Sequence, residues 1–187
     1  MKLMIASDLH GDAACTRTLL DRFDESGALR LLLLGDLLYH GPRNDLPAGY
    51  APKEVIALLN ARRDALLCVR GNCDTEVDQM VLNFPILSEF ALVDSGRHVF
   101  CLTHGHKNGE GNPPPLRPGD ILLCGHTHVP ACRPVGDLEN RNFYVNPGSV
   151  SIPKDGSPKS YILYDSTDGS LSFRTLGGDE YQREYLG

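Results

Sequence analysis

At 187 residues the chain is long enough to bury one substantial core and is read as a single domain over 1–187. Hydrophobic residues at 41% and charged residues at 22% match a folded globular composition and argue against extended disorder. A net charge of -6 without any Lys/Arg run argues against stable nucleic-acid binding, and the longest apolar run, 29–39, is interrupted by Arg30, Gly35 and Asp36, so no membrane span is expected.

The opening MKLMIASD runs apolar residues directly into an Asp, which reads as a buried first strand over 2–6 and not as a leader peptide. A cytoplasmic location is the expectation. Residues 13–26 carry the pattern of an amphipathic helix, 31–34 a second strand, 52–62 a second helix opened by Pro52, and 65–69 a third strand. That alternation predicts parallel βαβ units. Downstream the character changes. Strands are predicted at 89–93, 98–103, 120–124, 143–145, 160–164 and 170–174, separated by turn signals such as Asp94-Ser95-Gly96, with little helix between them. The expected result is two sheets packed face to face and flanked by helices. Two long loops, 39–51 and 107–119, stand out as functional candidates. The six cysteines include no CxxC pair and mostly lie in apolar stretches, so they are read as small buried hydrophobes.

The chemistry-bearing residues recur at strand ends. Asp8 and His10 follow the first strand in SDLHGD, Asp36 the second in LLLLGDLL, and Asn72 the third in VRGNCD. His104 follows a later strand in FCLTHGH, and His126 and His128 another in ILLCGHTH. In open α/β sheets the ligand site lies beyond the carboxyl ends of the strands, and here several strands each deliver one or two ligand-type side chains to that edge. In DLH and HTH the outer residues are two apart, which in extended chain aims both the same way. Imidazole and carboxylate without thiolate pairs suit Zn, Fe, Mn or Co better than Ca. Asp36, through its two carboxylate oxygens, can bridge two ions spaced roughly 3.5–4 Å apart to clamp an in-line phosphoryl displacement.

The ordered set DxH, GD, GN, H and GHxH resembles the signature of the calcineurin-like metallophosphoesterases. SDLHGD, LGDLLYHGPRN, VRGNCDTEVDQM, LTHGH, GHTHVP and NPGSVSIPK together look most like the YfcE-type bacterial phosphodiesterases and span nearly the whole chain. The resemblance implies a four-layer α/β/β/α sandwich. It implies a first divalent ion on Asp8, His10, His128 and bridging Asp36, and a second on Asn72, His104, His126 and Asp36, with Asp36, Asn72 and His104 also catalytic. Mn²⁺ is the expected metal, with Mg²⁺, Zn²⁺, Fe²⁺ and Co²⁺ as alternatives. The implied reaction is hydrolysis of a small phosphodiester by a bridging water activated as hydroxide. One departure is Cys73, which stands where many members carry a His thought to protonate the leaving group. A thiol is a poorer general acid near pH 7, so the expectation is either good leaving groups or a proton donor from elsewhere, such as water, His106 or the substrate.

Single residues have plainer readings. Asp8 or Asp36 alone could cap a helix, and Asp74 reads as a support for the site or a cap for the stretch after it. His106, Arg43 and Asn44 could face substrate or solvent, and Cys73 reads as a pocket wall. Asn146-Pro147-Gly148-Ser149 reads first as a turn. The competing function is a protein-interaction scaffold on the same fold, as in the retromer subunit that resembles this family. A scaffold is free to lose ligands, whereas every ligand position is filled here. A homo-oligomer is compatible with a small α/β enzyme.

Overall fold

The computed structural model describes residues 1–186. Its first unit is β1 (Lys2–Ala6), α1 (Ala13–Ser26) and β2 (Arg30–Leu33), with β1 and β2 parallel and Met4 opposite Leu31. The second repeats the pattern with α2 (Pro52–Asn60) and β3 (Leu66–Cys68), parallel to β2. These strands are apolar at nearly every position because both faces of the sheet are covered. Met4, Ala6, Leu31 and Leu33 face the helices, while Leu3, Ile5, Leu32 and Leu34 face the second sheet.

Helix α1 starts at Asp12, whose carboxylate accepts the Cys15 N–H at 2.9 Å, and stops at Gly27 in the left-handed conformation (φ 68°). It buries Ala13, Thr16, Leu19, Leu20 and Phe23, the one-face spacing of a helix packed on a sheet. Helix α2 ends at Asn60, two residues before the expected end. The Asn60 side chain there accepts the Asn83 N–H and donates to the Val81 carbonyl, and the chain turns through a 3₁₀ segment, Arg63–Ala65, into β3.

After the single turn α3 (Glu76–Gln79) the chain crosses to the second sheet: β4 (Ala91–Asp94), β5 (Val99–Leu102), β6 (Ile121–Leu123), β7 (Pro130–Pro134) and β8 (Phe143–Pro147), in the order β4-β5-β6-β8-β7. It then returns as β9 (Ser160–Asp165), β10 (Ser170–Thr175) and β11 (Glu180–Tyr185), antiparallel strands that complete a sheet of order β11-β10-β9-β1-β2-β3. Both sheets are mixed. Their parallel centres, β1-β2-β3 and β5-β6-β8, are the part that delivers the site.

The sandwich expected from the family resemblance is present. Helices cover the outer face of the first sheet, and the two sheets share a core that includes Leu3, Ile5, Phe100, Leu102, Ile121 and Tyr164. The outermost layer over the second sheet is built of loop: Leu116, from the 107–119 segment, packs on Leu122, Cys124, Val135 and Tyr144. Three elements escaped the sequence pattern. β11 reads EYQREY without an apolar run, and β7 has Pro at both ends; each is the last strand of its sheet, where such residues are tolerated. α3 is one turn, opened by a capping box between Thr75 and Asp78.

Candidate metal centre

The carboxyl ends of β1, β2, β3, β5 and β6 meet at one edge, and the loops leaving them hydrogen-bond to one another. Asp8 N–H donates to the Gly35 carbonyl at 3.1 Å, His10 N–H to Asp36 at 3.0 Å and Gly125 N–H to His104 at 3.0 Å. Five of the seven expected ligands sit in the left-handed backbone region: Asp8 (φ 59°), His10 (45°), Asp36 (57°), His126 (67°) and His128 (62°). Such conformations each cost on the order of 1–3 kcal/mol and persist where the surroundings fix them. DLH and HTH are therefore not extended, contrary to the spacing argument. Asp8 and His10 still converge, but His126 and His128 diverge, His128 toward Asp8 and His10, and His126 beside His104, ring centroids 5.1 Å apart.

Three imidazoles are oriented alike. Nδ1 of His10 lies 2.8 Å from the Tyr39 carbonyl, Nδ1 of His104 2.7 Å from Leu34 and Nδ1 of His128 2.7 Å from Ile152. A carbonyl accepts only, so each Nδ1 carries the proton and each Nε2 is left to face the centre. His10 Nε2 is 3.6 Å from Asp8 Oδ1, 3.7 Å from Asp36 Oδ2 and 3.3 Å from His128 Nε2. His104 Nε2 is 3.5 Å from Asp36 Oδ2 and 3.0 Å from Asn72 Oδ1. Three tight groups result: Asp8 with His10 and His128, Asp8 with Asp36 and His104, and Asp36 with His10 and Cys73. Asn72 joins through its contact with His104. The His126 ring borders the cluster but belongs to none of those three groups.

Each carboxylate is anchored by one oxygen. Asp8 Oδ2 accepts the His126 N–H at 3.0 Å, and Asp36 Oδ1 accepts the Cys73 N–H at 2.8 Å. Asp36 Oδ2 is the oxygen that lies within 3.7 Å of His10 Nε2 and 3.5 Å of His104 Nε2. Asp8 Oδ1 is buried with no hydrogen-bond partner, an arrangement that natural proteins avoid unless a further group occupies the space. Glycines keep that space open. A Cβ at Gly71 would overlap Asp36 Oδ1, and one at Gly125 would overlap Ser7 Oγ and lie 2.8 Å from Asp8 Oδ2. The donor set therefore fits divalent metal.

The electrostatics agree. Burial pushes the Asp8 carboxyl up, but the adjoining His10 and His128 imidazoles outweigh it and hold the group well below the usual range. Asp36 is lowered in the same way, chiefly by His104. Burial disfavours charge on His104, yet Asp36 and Asp8 raise it to about 9; His10 is raised as well, mainly by Asp8. Protons on imidazoles thus balance the two carboxylates, the role a bound cation takes over.

The surrounding residues sort themselves. The Cys73 thiol is buried, accepts from Asn72 Nδ2 at 3.2 Å, and is pushed up to about 12 by burial and by Asp36, so it is a neutral wall group. His106 stands 5.4 Å from the His104 ring, with Nδ1 buried and unpartnered and its pKa lowered first by burial. Asp74 does not cap α3, whose cap is Thr75. Its carboxylate accepts the N–H groups of Asp36, Leu37 and Gly71 at 2.8–2.9 Å. Arg43 and Asn44 do border the cleft, a cavity of about 440 Å³, together with Thr127 and Lys154. The NPGSVS turn has more to do than sequence suggested: Ser149 and Ser151 both donate to the Asp8 carbonyl at 2.8 and 2.9 Å, and Asn146 Nδ2 donates to Gly125 at 2.7 Å. A larger cavity of about 570 Å³ lies at the other end of the second sheet, bordered by Arg97, Asp120, Phe143 and Tyr185 and by none of the candidate ligands.

Comparison with known proteins identifies the family. Residues 1–169 match the calcineurin-like phosphoesterase superfamily domain. The chain is 49% identical over 166 residues to the phosphodiesterase YfcE of Escherichia coli strain K12, covering 89% of this chain and 88% of that protein. A solved structure of that Escherichia coli phosphoesterase superposes with a TM-score of 0.93 at 46% identity, covering both chains fully. Entamoeba histolytica Vps29 in complex with zinc superposes with a TM-score of 0.59 at 21% identity, over 98% of this chain and 97% of that one, a likeness of fold alone. Among the described residues no helix is long and apolar enough to cross a membrane.

Proposed function

Because the chain belongs to the calcineurin-like phosphoesterase superfamily, we propose that it is a cytoplasmic metal-dependent phosphodiesterase acting on small phosphodiesters. The observation that carries this is the convergence of three imidazole Nε2 atoms, each fixed through a Nδ1–carbonyl bond, on two buried carboxylates, one of whose oxygens has no other partner. Asp8, His10 and His128 would hold one divalent ion, and Asn72, His104 and His126 a second, with Asp36 between them; Mn²⁺ is the metal we assign. Bound there, the pair of ions supplies a hydroxide near neutral pH and positive charge opposite the developing phosphoryl oxygens.

The chain's own residues set the conditions for that chemistry. Anchoring by the Cys73 N–H leaves one Asp36 oxygen facing His10 and His104. Asn72 Oδ1 and His104 Nε2 stand 3.0 Å apart, and the Asn72 amide also donates to the Cys73 thiol. Asp36, Asn72 and His104 are the residues we assign to catalysis as well as to metal holding. The neutral Cys73 thiol is no proton donor near pH 7, so the leaving group departs with a proton from water or without one. That favours esters of acidic alcohols and phenols. Six cysteines, none in a disulfide, suit a reducing compartment.

The test is hydrolysis of bis-p-nitrophenyl phosphate by metal-stripped protein with Mn²⁺, Mg²⁺, Zn²⁺ or Co²⁺ restored, beside Asp36→Ala and His126→Ala. Turnover that returns with metal and is lost in both folded variants is the expected result. Absence of turnover with every metal, in protein that still binds them, would replace catalysis with a scaffold role.

A further inference from the structure

Two cations overlook the proposed centre without an acid to answer them. Arg43 lies on the loop after β2 in the first sheet and Lys154 on the loop after β8 in the second, and both side chains are exposed and border the 440 Å³ cleft. Neither is ion-paired among the described residues. Elsewhere some basic side chains, such as Arg62, Lys107 and Arg133, face carboxylates at 2.5–3.0 Å, while others, such as Lys53 and Arg141, are in no ion pair among the described residues and border no candidate ligand. The cleft has one acid in its lining, Asp36, and that carboxylate is committed to the imidazoles.

The charge balance says what these cations are left for. This inference rests on the hydrolytic reading above. In that centre Asp8 and Asp36 carry two negative charges, two divalent ions carry four positive, and one hydroxide with one diester supplies the remaining two negative. A simple diester thus neutralises the centre completely, and the positive charge of Arg43 and Lys154 stays unanswered. In a cleft, unanswered charge of one sign concentrates the complementary ligand, and a guanidinium fork matches phosphate oxygens two at a time. We propose that Arg43 and Lys154 form a subsite for a second phosphate, so that the preferred substrate is a phosphodiester bearing an additional phosphomonoester group on one of its alcohol arms. Arg43 and Lys154 select the substrate, and the chemistry at the scissile phosphorus stays with the centre.

A pair of chromogenic esters isolates the subsite. Both are 5′-p-nitrophenyl esters of thymidine 5′-phosphate, one with a free 3′-hydroxyl and the other with a 3′-phosphate. The readout is the ratio of their kcat/KM values within each protein, on the Mn²⁺-loaded enzyme. Each cation contributes about five-fold if it acts as an exposed ion pair, so wild type prefers the 3′-phosphorylated ester by roughly 25-fold at low salt. Arg43→Ala and Lys154→Ala each lower that ratio to about five-fold, the double variant brings it near one, and added salt erodes it in wild type. Calorimetry supplies a second readout that needs no turnover, the affinity of the same loaded proteins for thymidine 3′,5′-bisphosphate against thymidine 5′-monophosphate. The bisphosphate preference is expected in wild type and not in the double variant. A ratio near one in wild type, or a preference that survives in the double variant, overturns the proposal. If neither ester turns over yet the calorimetric preference appears and vanishes as described, the subsite stands and it is the hydrolytic reading that falls.

Discussion

Replacing Asp74 by Ala tests how the centre is held. The side chain is 2% exposed, and its carboxylate accepts three backbone N–H groups, Asp36 and Gly71 on Oδ2 and Leu37 on Oδ1. Those three donors belong to the turns that place Asp36 and Asn72. Burial raises the Asp74 carboxyl to about 6 despite the donors, with neighbouring Asp36 adding to the rise, so at pH 7.5 the group is ionised and its hydrogen bonds are charge-assisted. In Asp74→Ala all three N–H groups lose their acceptor in a place with little water. Each buried donor left unsatisfied costs about 1–3 kcal/mol; with partial relaxation the sum is about 3–5 kcal/mol. For a chain of this size that lowers Tm by roughly 6–20 °C. Asp74→Asn keeps an acceptor of the same shape and should lose about half as much. Urea unfolding of the metal-free proteins, with m checked for constancy, measures this directly. A loss below about 1 kcal/mol in Asp74→Ala would refute the reasoning, as would equal losses in the two variants.

Other consequences follow from neighbouring contacts. Cys73→His puts an imidazole where the thiol pushed up to about 12 now stands; turnover of a diester with an alkyl leaving group should rise roughly 10- to 100-fold while bis-p-nitrophenyl phosphate changes little, and equal changes for both substrates would count against a leaving-group role for this position. Gly125→Ala forces a Cβ onto Ser7 Oγ and toward Asp8 Oδ2, so Mn²⁺ affinity should fall at least about ten-fold, as read by a fluorescent chelator competition; unchanged affinity would show that the Asp8 carboxylate can move freely. In the metal-free protein His104 is raised to about 9 in the fold. A raised imidazole contributes stability that is fully present below its unfolded value near 6.5 and is lost as pH rises through 9. Thermal melts in EDTA should therefore fall between pH 6.5 and 9, less steeply in His104→Gln. A flat wild-type profile would show that His104 is not charged in the fold.

Much of this was legible because the site is made of local units. SDLHGD, GD, GN and GHTH each follow an apolar run that has to be a covered strand, so the sequence already placed their polar residues at one sheet edge. What it could not supply depends on contacts far apart in the chain. Asp8 Oδ1 is orphaned only because its partner oxygen is taken by the His126 N–H 118 residues away. The divergence of His126 from His128 comes from left-handed backbone at both, which no side-chain spacing encodes. Ser149 read as a turn residue and Ser151 carried no signal of its own, yet both hydroxyls donate to the Asp8 carbonyl. Lys154 carried no signal beyond lying in NPGSVSIPK, and Asp74 had a plausible cap to make until Thr75 took that place. Edge strands β7 and β11 were hidden for a different reason: a strand covered on one side only needs no apolar run.

The most direct test of the central claim is metal content per chain. Protein stripped with chelator, loaded with Mn²⁺ and freed of excess by gel filtration would be analysed by mass spectrometry of the metal. Two ions per wild-type chain are expected, falling to about one in His128→Ala and in Asn72→Ala and to none in Asp36→Ala. Wild-type chains that hold one ion or none would contradict a dinuclear centre, and so would variants that keep two.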